Sequence, residues 1–113
     1  MPIKNKIIVT GGAGFVGTNL IKFLLKKTSL KIISIDDYSS GSKSNHIKNS
    51  RVKYIKGDTK DINILLKKFK LRIDSIFHFG EFSRIYQSFE KFSDCFKSNS
   101  IGTNEVFKFC LDN

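Results

Sequence analysis

Apolar residues come in short bursts along this chain, and the bursts alternate between two periods. Positions 6–10 (KIIVT) form a continuous apolar run that stops at glycines, as a strand buried on both faces does. Positions 14–27 place Phe15, Val16, Leu20, Ile21, Phe23, Leu24 and Leu25 at helical spacing, with a wide apolar face. The pattern predicts a second strand at 31–35 (KIISI), a third at 52–56 (VKYIK) with Val52, Tyr54 and Lys56 on one face, and a fourth at 75–80 (SIFHFG). Between the second and third strands, positions 36–50 are polar and rich in Ser, Gly and Asn, which reads as a surface loop. Asp61 can cap a helix that runs to about residue 70 with Ile62, Leu65, Leu66 and Phe69 on one face. A last helix begins at Ser93 or Asp94 and reaches residue 111.

Strands that alternate with helices imply an α/β fold with a parallel sheet and right-handed crossovers. A chain of 113 residues is enough for one domain with one core, not for two. No repeat, linker or low-complexity segment interrupts it. No apolar run reaches the length of a membrane span, and the first residues lack the apolar core of a secretory signal, so the expected compartment is the cytoplasm.

Charge changes this picture little. The net charge is +10, from 20 basic and 10 acidic residues. The lysines are dispersed: Lys22, Lys26 and Lys27 fall late in one predicted helix, Lys67, Lys68 and Lys70 late in another, where cations suit the negative helix end. Solvated helix faces are therefore expected, not a nucleic-acid surface. Cys95 and Cys110 both fall in the last predicted helix. Fifteen residues at 1.5 Å each set them about 22 Å apart, too far to pair, so reduced and partly buried thiols are expected. His46 and His78 stand alone, and no Cys/His cluster has metal spacing.

The chemistry concentrates after the first strand. Thr10-Gly11-Gly12-Ala13-Gly14-Phe15-Val16-Gly17 satisfies two glycine spacings, Gly12-x-Gly14-x-x-Gly17 and Gly11-x-x-Gly14-x-x-Gly17. One glycine makes the tight turn, another lets backbone approach a pyrophosphate, and the last lets the helix pack closely on the strand. The helix start then offers free N–H groups and its positive dipole end to the phosphates. Strand before, helix after and second strand following supply the context this pattern needs. Asp36 closes the second strand, 19 residues beyond Gly17. A carboxylate there accepts hydrogen bonds from a ribose 2′-hydroxyl and repels a 2′-phosphate, which favours NAD over NADP.

These residues resemble the extended short-chain dehydrogenase/reductases, especially the NAD-dependent epimerase/dehydratase group that acts on nucleotide sugars. The resemblance spans essentially the whole chain. Besides the glycine loop, Ile35-Asp36-Asp37 resembles the group's second-strand ending, and Gly57-Asp58-Thr59 its adenine-side turn. His78-Phe79-Gly80 resembles its fourth-strand ending, and Asn99-x-x-Gly102-Thr103 a helix motif beside the cofactor pocket. The resemblance implies the first four strands of a Rossmann-type doubly wound parallel sheet, in order 3-2-1-4. It implies a cofactor-contacting set of Gly11, Gly14, Phe15, Val16, Gly17, Asp36, Asp37, Ser39, Ser40, Asp58, Thr59, Phe79, Gly80, Glu81 and Asn99. Glu81 departs from the family, where a small residue is usual; a cofactor-side acid and a solvated loop residue both stay open. Arg84 could face a substrate phosphate or be a surface cation. His78 resembles a structural strand residue.

The family's catalytic pair is a Tyr and a Lys four residues later. Here the residues four after Tyr38, Tyr54 and Tyr86 are Ser42, Asp58 and Glu90. The resemblance therefore assigns no catalytic residue and no metal ligand to this chain. Residues 1–113 are expected to be a single N-terminal NAD-binding domain, truncated before the catalytic pair and the substrate-binding part, and unable to turn over a sugar alone. The expected parent is a nucleotide-sugar epimerase or dehydratase similar to UDP-glucose 4-epimerases, with NAD as cofactor, a nucleotide sugar as partner, and a homodimer as the assembly the resemblance suggests. The alternatives are a non-catalytic NAD-binding or regulatory module of the same fold and an NADPH-dependent reductase, against which Asp36 argues.

Overall fold

A computed structural model describes residues 5–67, 69, 72–80 and 97–112, with the side chains of 97–99 excepted. Its strands are β1 (Lys6–Thr10), β2 (Lys31–Asp36), β3 (Val52–Lys56) and β4 (Ile73–His78). The helices are α1 (Phe15–Lys27), α2 (Ile62–Leu66) and α3 (Thr103–Asp112). All strand pairings are parallel, in the order β3-β2-β1-β4. The chain is thus the expected α/β, Rossmann-type half sheet.

Alternation along each strand divides the core into two layers, because successive side chains leave a strand on opposite faces. Ile7, Val9 and Ile32 meet Ile21 and Leu24 of α1 on one face. Ile8, Ile33 and Ile35 meet Ile62 and Leu66 of α2 and Val106 and Phe109 of α3 on the other. Both central strands, β1 and β2, are therefore covered twice, and this explains their unbroken apolar runs. The edge strand β3 exposes Lys53 and Lys56, charges that discourage pairing with another chain.

Several predicted boundaries shift. The fourth strand ends at His78, two residues early, because Gly80 N–H turns away to the Thr10 hydroxyl (3.0 Å). It also starts earlier, at Ile73, and its register against β1 slips between Lys6 and Ile7. The second helix is much shorter than 61–70. It opens with a 3-10 turn, Thr59–Asp61, and closes with tight bonds from Lys67 N to Ile64 O and from Phe69 N to Leu66 O. The side chain that caps this start is Asp58, which accepts from Lys60 N at 3.0 Å; Asp61 makes no capping bond. The last helix is preceded by a π-helical turn, Lys97–Gly102. Its predicted start at Ser93 or Asp94, and Cys95, lie outside the described residues. Cys110 is exposed, not partly buried.

The apolar face of α1 is also narrower than predicted. Gly17, Thr18, Ile21 and Leu24 are its buried positions, whereas Phe15, Val16 and Phe23 are exposed. Its far end is closed by Arg51, just before β3. The guanidinium donates to Leu25 O (2.6 Å), Thr28 O (2.7 Å) and Leu30 O (3.1 Å), three carbonyls at or beyond the helix terminus. Lysine cannot reproduce that planar fork. Arg51→Lys should therefore lower stability by about 1–2 kcal/mol, and Arg51→Ala by more, in urea unfolding. Equal midpoints for wild type and Arg51→Ala would show that the three bonds add nothing.

Candidate dinucleotide site

In a parallel sheet all strands end on one side, and here four strand ends meet. Gly11 follows β1 and bonds through its N–H to Ile35 O at 2.7 Å. Phe79 N donates to Thr10 O (3.0 Å), and the Thr10 hydroxyl takes Gly80 N. The buried Thr59, at the end of β3, reaches Gly80 O with its hydroxyl (3.4 Å). Thr10, Gly11, Thr59, Phe79 and Gly80 thus form one floor at the carboxyl edge between β1 and β4, where the strand order reverses.

The glycines of the loop have distinct reasons. Gly11 has φ +73°, and a Cβ there would lie 2.8 Å from the carbonyl carbon and oxygen of Phe79. At Gly17 a Cβ would overlap the Gly11 carbonyl oxygen and come within 2.8 Å of Gly12 Cα. At Gly12 it would strike Ser34, whose buried hydroxyl has no hydrogen-bond partner among the described residues. Gly14 differs. Its backbone is extended (φ −84°, ψ −179°), a conformation open to any residue, and the nearest atom to a Cβ there is Gly11 O at 3.4 Å. Among the described residues nothing requires a glycine at position 14.

The space in front of Gly14 is also where α1 begins. The first helical bond runs from Thr18 N to Gly14 O, and no side chain among the described residues caps the helix. Among the described residues no acceptor meets the amides of Phe15, Val16 and Gly17, and the first turn carries no acid. The result is a set of donors at a positive helix end, the arrangement that suits an anion. Phe15, at 82% exposed, and Val16, at 55%, flank it.

Asp36 stands beside this loop, 8% exposed. One carboxylate oxygen, Oδ2, accepts from Ala13 N (3.0 Å), and the other, Oδ1, accepts from Tyr38 N (2.8 Å). Each oxygen retains a further lone pair for a ligand hydroxyl. Asp37 is exposed and accepts from Ser39 N (2.9 Å); Ser39 and Ser40 are exposed at the rim. The half-exposed Asp58 lies at the next strand end. Glu81 lies outside the described residues. Asn99 falls in the π-helical turn, with its side chain outside the described residues.

Positions 36–50 do more than cover the surface. Ala13 O accepts from Ser42 N (3.1 Å) and from the Asn45 side chain (2.8 Å), so the loop is tied to the glycine turn. Gly41 packs so tightly that a Cβ there would lie 2.9 Å from Asp36 Oδ2. Gly41 and Asn45 were not legible as site residues, although the Asn and Gly content of the stretch was their signal. Tyr38, with φ +62°, is the one non-glycine residue with positive φ among the described residues. Its hydroxyl meets His46 Nε2 at 2.6 Å. Burial first, then the charges of Asp36 and Tyr54, raise the Tyr38 pKa above its ordinary value, so the phenol stays protonated.

His78 is a strut. Nδ1 is 2.5 Å from the Thr10 hydroxyl and Nε2 is 3.0 Å from the Thr103 hydroxyl, so both ring nitrogens are engaged in joining β1, β4 and α3. Among the described residues no group of His, Cys, Asp and Glu could hold a metal, and no helix is long and apolar enough to cross a membrane.

Comparison with known proteins agrees with this geometry. The dTDP-D-glucose 4,6-dehydratase of Dictyostelium discoideum is 32% identical over 111 residues, which cover 93% of this chain and 26% of that protein. The UDP-glucose 4-epimerase of Halalkalibacterium halodurans is 31% identical over 107 residues, covering 94% of this chain and 31% of that protein. The Bordetella bronchiseptica enzyme WbmF, solved in complex with NAD+, superposes with a TM-score of 0.84 at 26% identity, over 93% of this chain and 32% of its own. The chain thus spans about a third or less of the relatives it matches. The sequence profile of one family matches residues 7–113: the chain belongs to the NAD dependent epimerase/dehydratase family.

Proposed function

We propose that this chain is the N-terminal NAD-binding domain of a nucleotide-sugar epimerase or dehydratase, with the catalytic Tyr and Lys and the sugar-binding part outside residues 1–113. Gly14 carries the reading: among the described residues nothing there calls for a glycine, and it immediately precedes three amides that meet no acceptor among them. Those amides, of Phe15, Val16 and Gly17, would hold the pyrophosphate. Asp36 would take the adenosine ribose hydroxyls, and Asp58 the adenine edge. The backbone of Phe79 and Gly80 would floor the path towards the nicotinamide. When bound, NAD would supply transient hydride acceptance from a sugar carbon. The chain's own share is to orient the dinucleotide against the β1–β4 edge and to select it. The names of the relatives, a dTDP-glucose dehydratase and a UDP-glucose epimerase, support a nucleotide sugar as substrate.

Selection tests the reading. A buried carboxylate at the ribose repels a 2′-phosphate, which disfavours the NADPH-dependent reductase alternative. In the full-length protein that carries these residues, Asp36→Ala or Asp36→Ser should weaken NAD by about tenfold and narrow its advantage over NADP, from the loss of charge-assisted hydrogen bonds. Calorimetric titration of both dinucleotides measures this. A ratio of affinities that does not move would remove Asp36 from the site.

A further inference from the structure

We propose that the hydrogen bond between Tyr38 and His46, backed by Tyr54, is the device that sets the strictness of cofactor choice by holding Asp36 in place. The proposal rests on the dinucleotide reading above. Tyr38 and His46 are positioning residues in it: they act through the Asp36 carboxylate and need not touch the ligand.

The observations form a closed circuit. Tyr38 adopts a left-handed backbone that bulky side chains rarely enter. That turn aims its N–H at Asp36 Oδ1 (2.8 Å). The same residue is tethered at its far end, where the hydroxyl meets His46 Nε2 at 2.6 Å. His46 lies flat on the Tyr54 ring of β3, with centroids 3.7 Å apart and planes 8° from parallel. The Tyr54 hydroxyl in turn accepts from Ile47 N at 2.9 Å, so the residue after His46 is fixed too. Asn45, the residue before it, donates to Ala13 O (2.8 Å), and Ala13 N returns to Asp36 Oδ2 (3.0 Å). Both carboxylate oxygens are thereby held, one from the glycine loop and one from Tyr38.

A left-handed tyrosine persists only when its surroundings over-determine it. The surroundings here are a hydroxyl bond and an aromatic stack on a strand. Without the bond, Tyr38 can relax to an ordinary backbone conformation, and its N–H then leaves Asp36. A carboxylate free to rotate holds the ribose hydroxyls less firmly and swings away from a 2′-phosphate. NAD loses affinity, NADP gains or holds, and the preference narrows.

Two substitutions isolate the bond. Tyr38→Phe removes only the hydroxyl. His46→Phe keeps a flat ring for Tyr54 and removes the nitrogen. In the full-length protein, titration of NAD and NADP against each variant should show the preference for NAD reduced by about fivefold, the worth of one hydrogen bond. The double variant should be no worse than either single, because both delete the same interaction. Melting temperatures without ligand should fall much less for these variants than for Arg51→Ala. An unchanged NAD-to-NADP ratio in both singles, while wild type binds NAD, overturns the proposal alone. So do two effects that add fully in the double variant. Failure of wild type to bind either dinucleotide overturns both the cofactor reading and this proposal.

Discussion

Gly14→Val is expected to leave the sheet folded and to reduce dinucleotide affinity at least about a hundredfold, which corresponds to roughly 3 kcal/mol of binding energy. The backbone at this position is already extended, the region β-branched residues favour, and among the described residues only Gly11 O, at 3.4 Å, comes near the added Cβ. The cost to the fold should be limited to a poorer helix cap, about 1 kcal/mol. The valine methyl groups would stand where the pyrophosphate must approach the amides of Phe15, Val16 and Gly17. Circular dichroism and a thermal melt check the fold, and calorimetry with NAD checks the site. A folded Gly14→Val protein that binds NAD like wild type would reduce the loop to a turn.

Gly17→Ala should behave in the opposite way. Its Cβ would overlap the Gly11 carbonyl oxygen and crowd Gly12 Cα and Gly11 C, at 2.8 and 2.9 Å. All three atoms are backbone, so no side chain can rotate out of the way. Either α1 lifts from the loop or the loop leaves β1, and each choice uncovers part of the layer formed by Ile7, Val9, Ile21, Leu24 and Ile32. Overpacking of this kind costs about 1–3 kcal/mol or more, against a total stability near 5–15 kcal/mol for an ordinary domain. The melting temperature should fall on the order of 10 °C. Any loss of NAD binding should follow the loss of fold. A melting curve that matches wild type would mean that α1 and the loop are not pressed together as described. The two variants, three residues apart, thus separate a glycine kept for a ligand from a glycine kept for packing.

Much of this was legible in the residues because the local signals agreed with one another. The run before Gly11 had to be a buried strand, and the turn after it had to be followed by a helix. Asp36 could be placed at the end of β2 by counting alone. The strand order β3-β2-β1-β4 followed from the family resemblance, and the pairings confirm it. Misreadings arose where tertiary contacts decided. Phe15, Val16 and Phe23 fit a helical period, but only a narrow stripe of α1 touches the sheet. The second helix had apolar spacing as far as Phe69. Its last turn tightens instead, and Phe69 lies under Lys53, whose ammonium stands 4.8 Å from the ring centroid. The polar stretch 36–50 looked solvated because composition does not reveal that Ala13 O and the face of Tyr54 are its partners.

The all-parallel sheet has a consequence for how the site comes into being. Among the described residues no two adjacent strands are joined by a hairpin. Lys6 pairs with Lys31, Ile32 with Val52, and Thr10 with His78, so even the nearest partners close loops of about 20 residues and the last pair closes 68. Long closures must be made before their contacts repay the lost chain entropy, and parallel sheets are slow to form for that reason. The Gly11 turn rests on Phe79 and Gly80, which arrive only with that longest closure. On the proposed dinucleotide reading, the site is therefore expected to be completed late in folding, when β4 docks and not when the glycine turn and its helix first form.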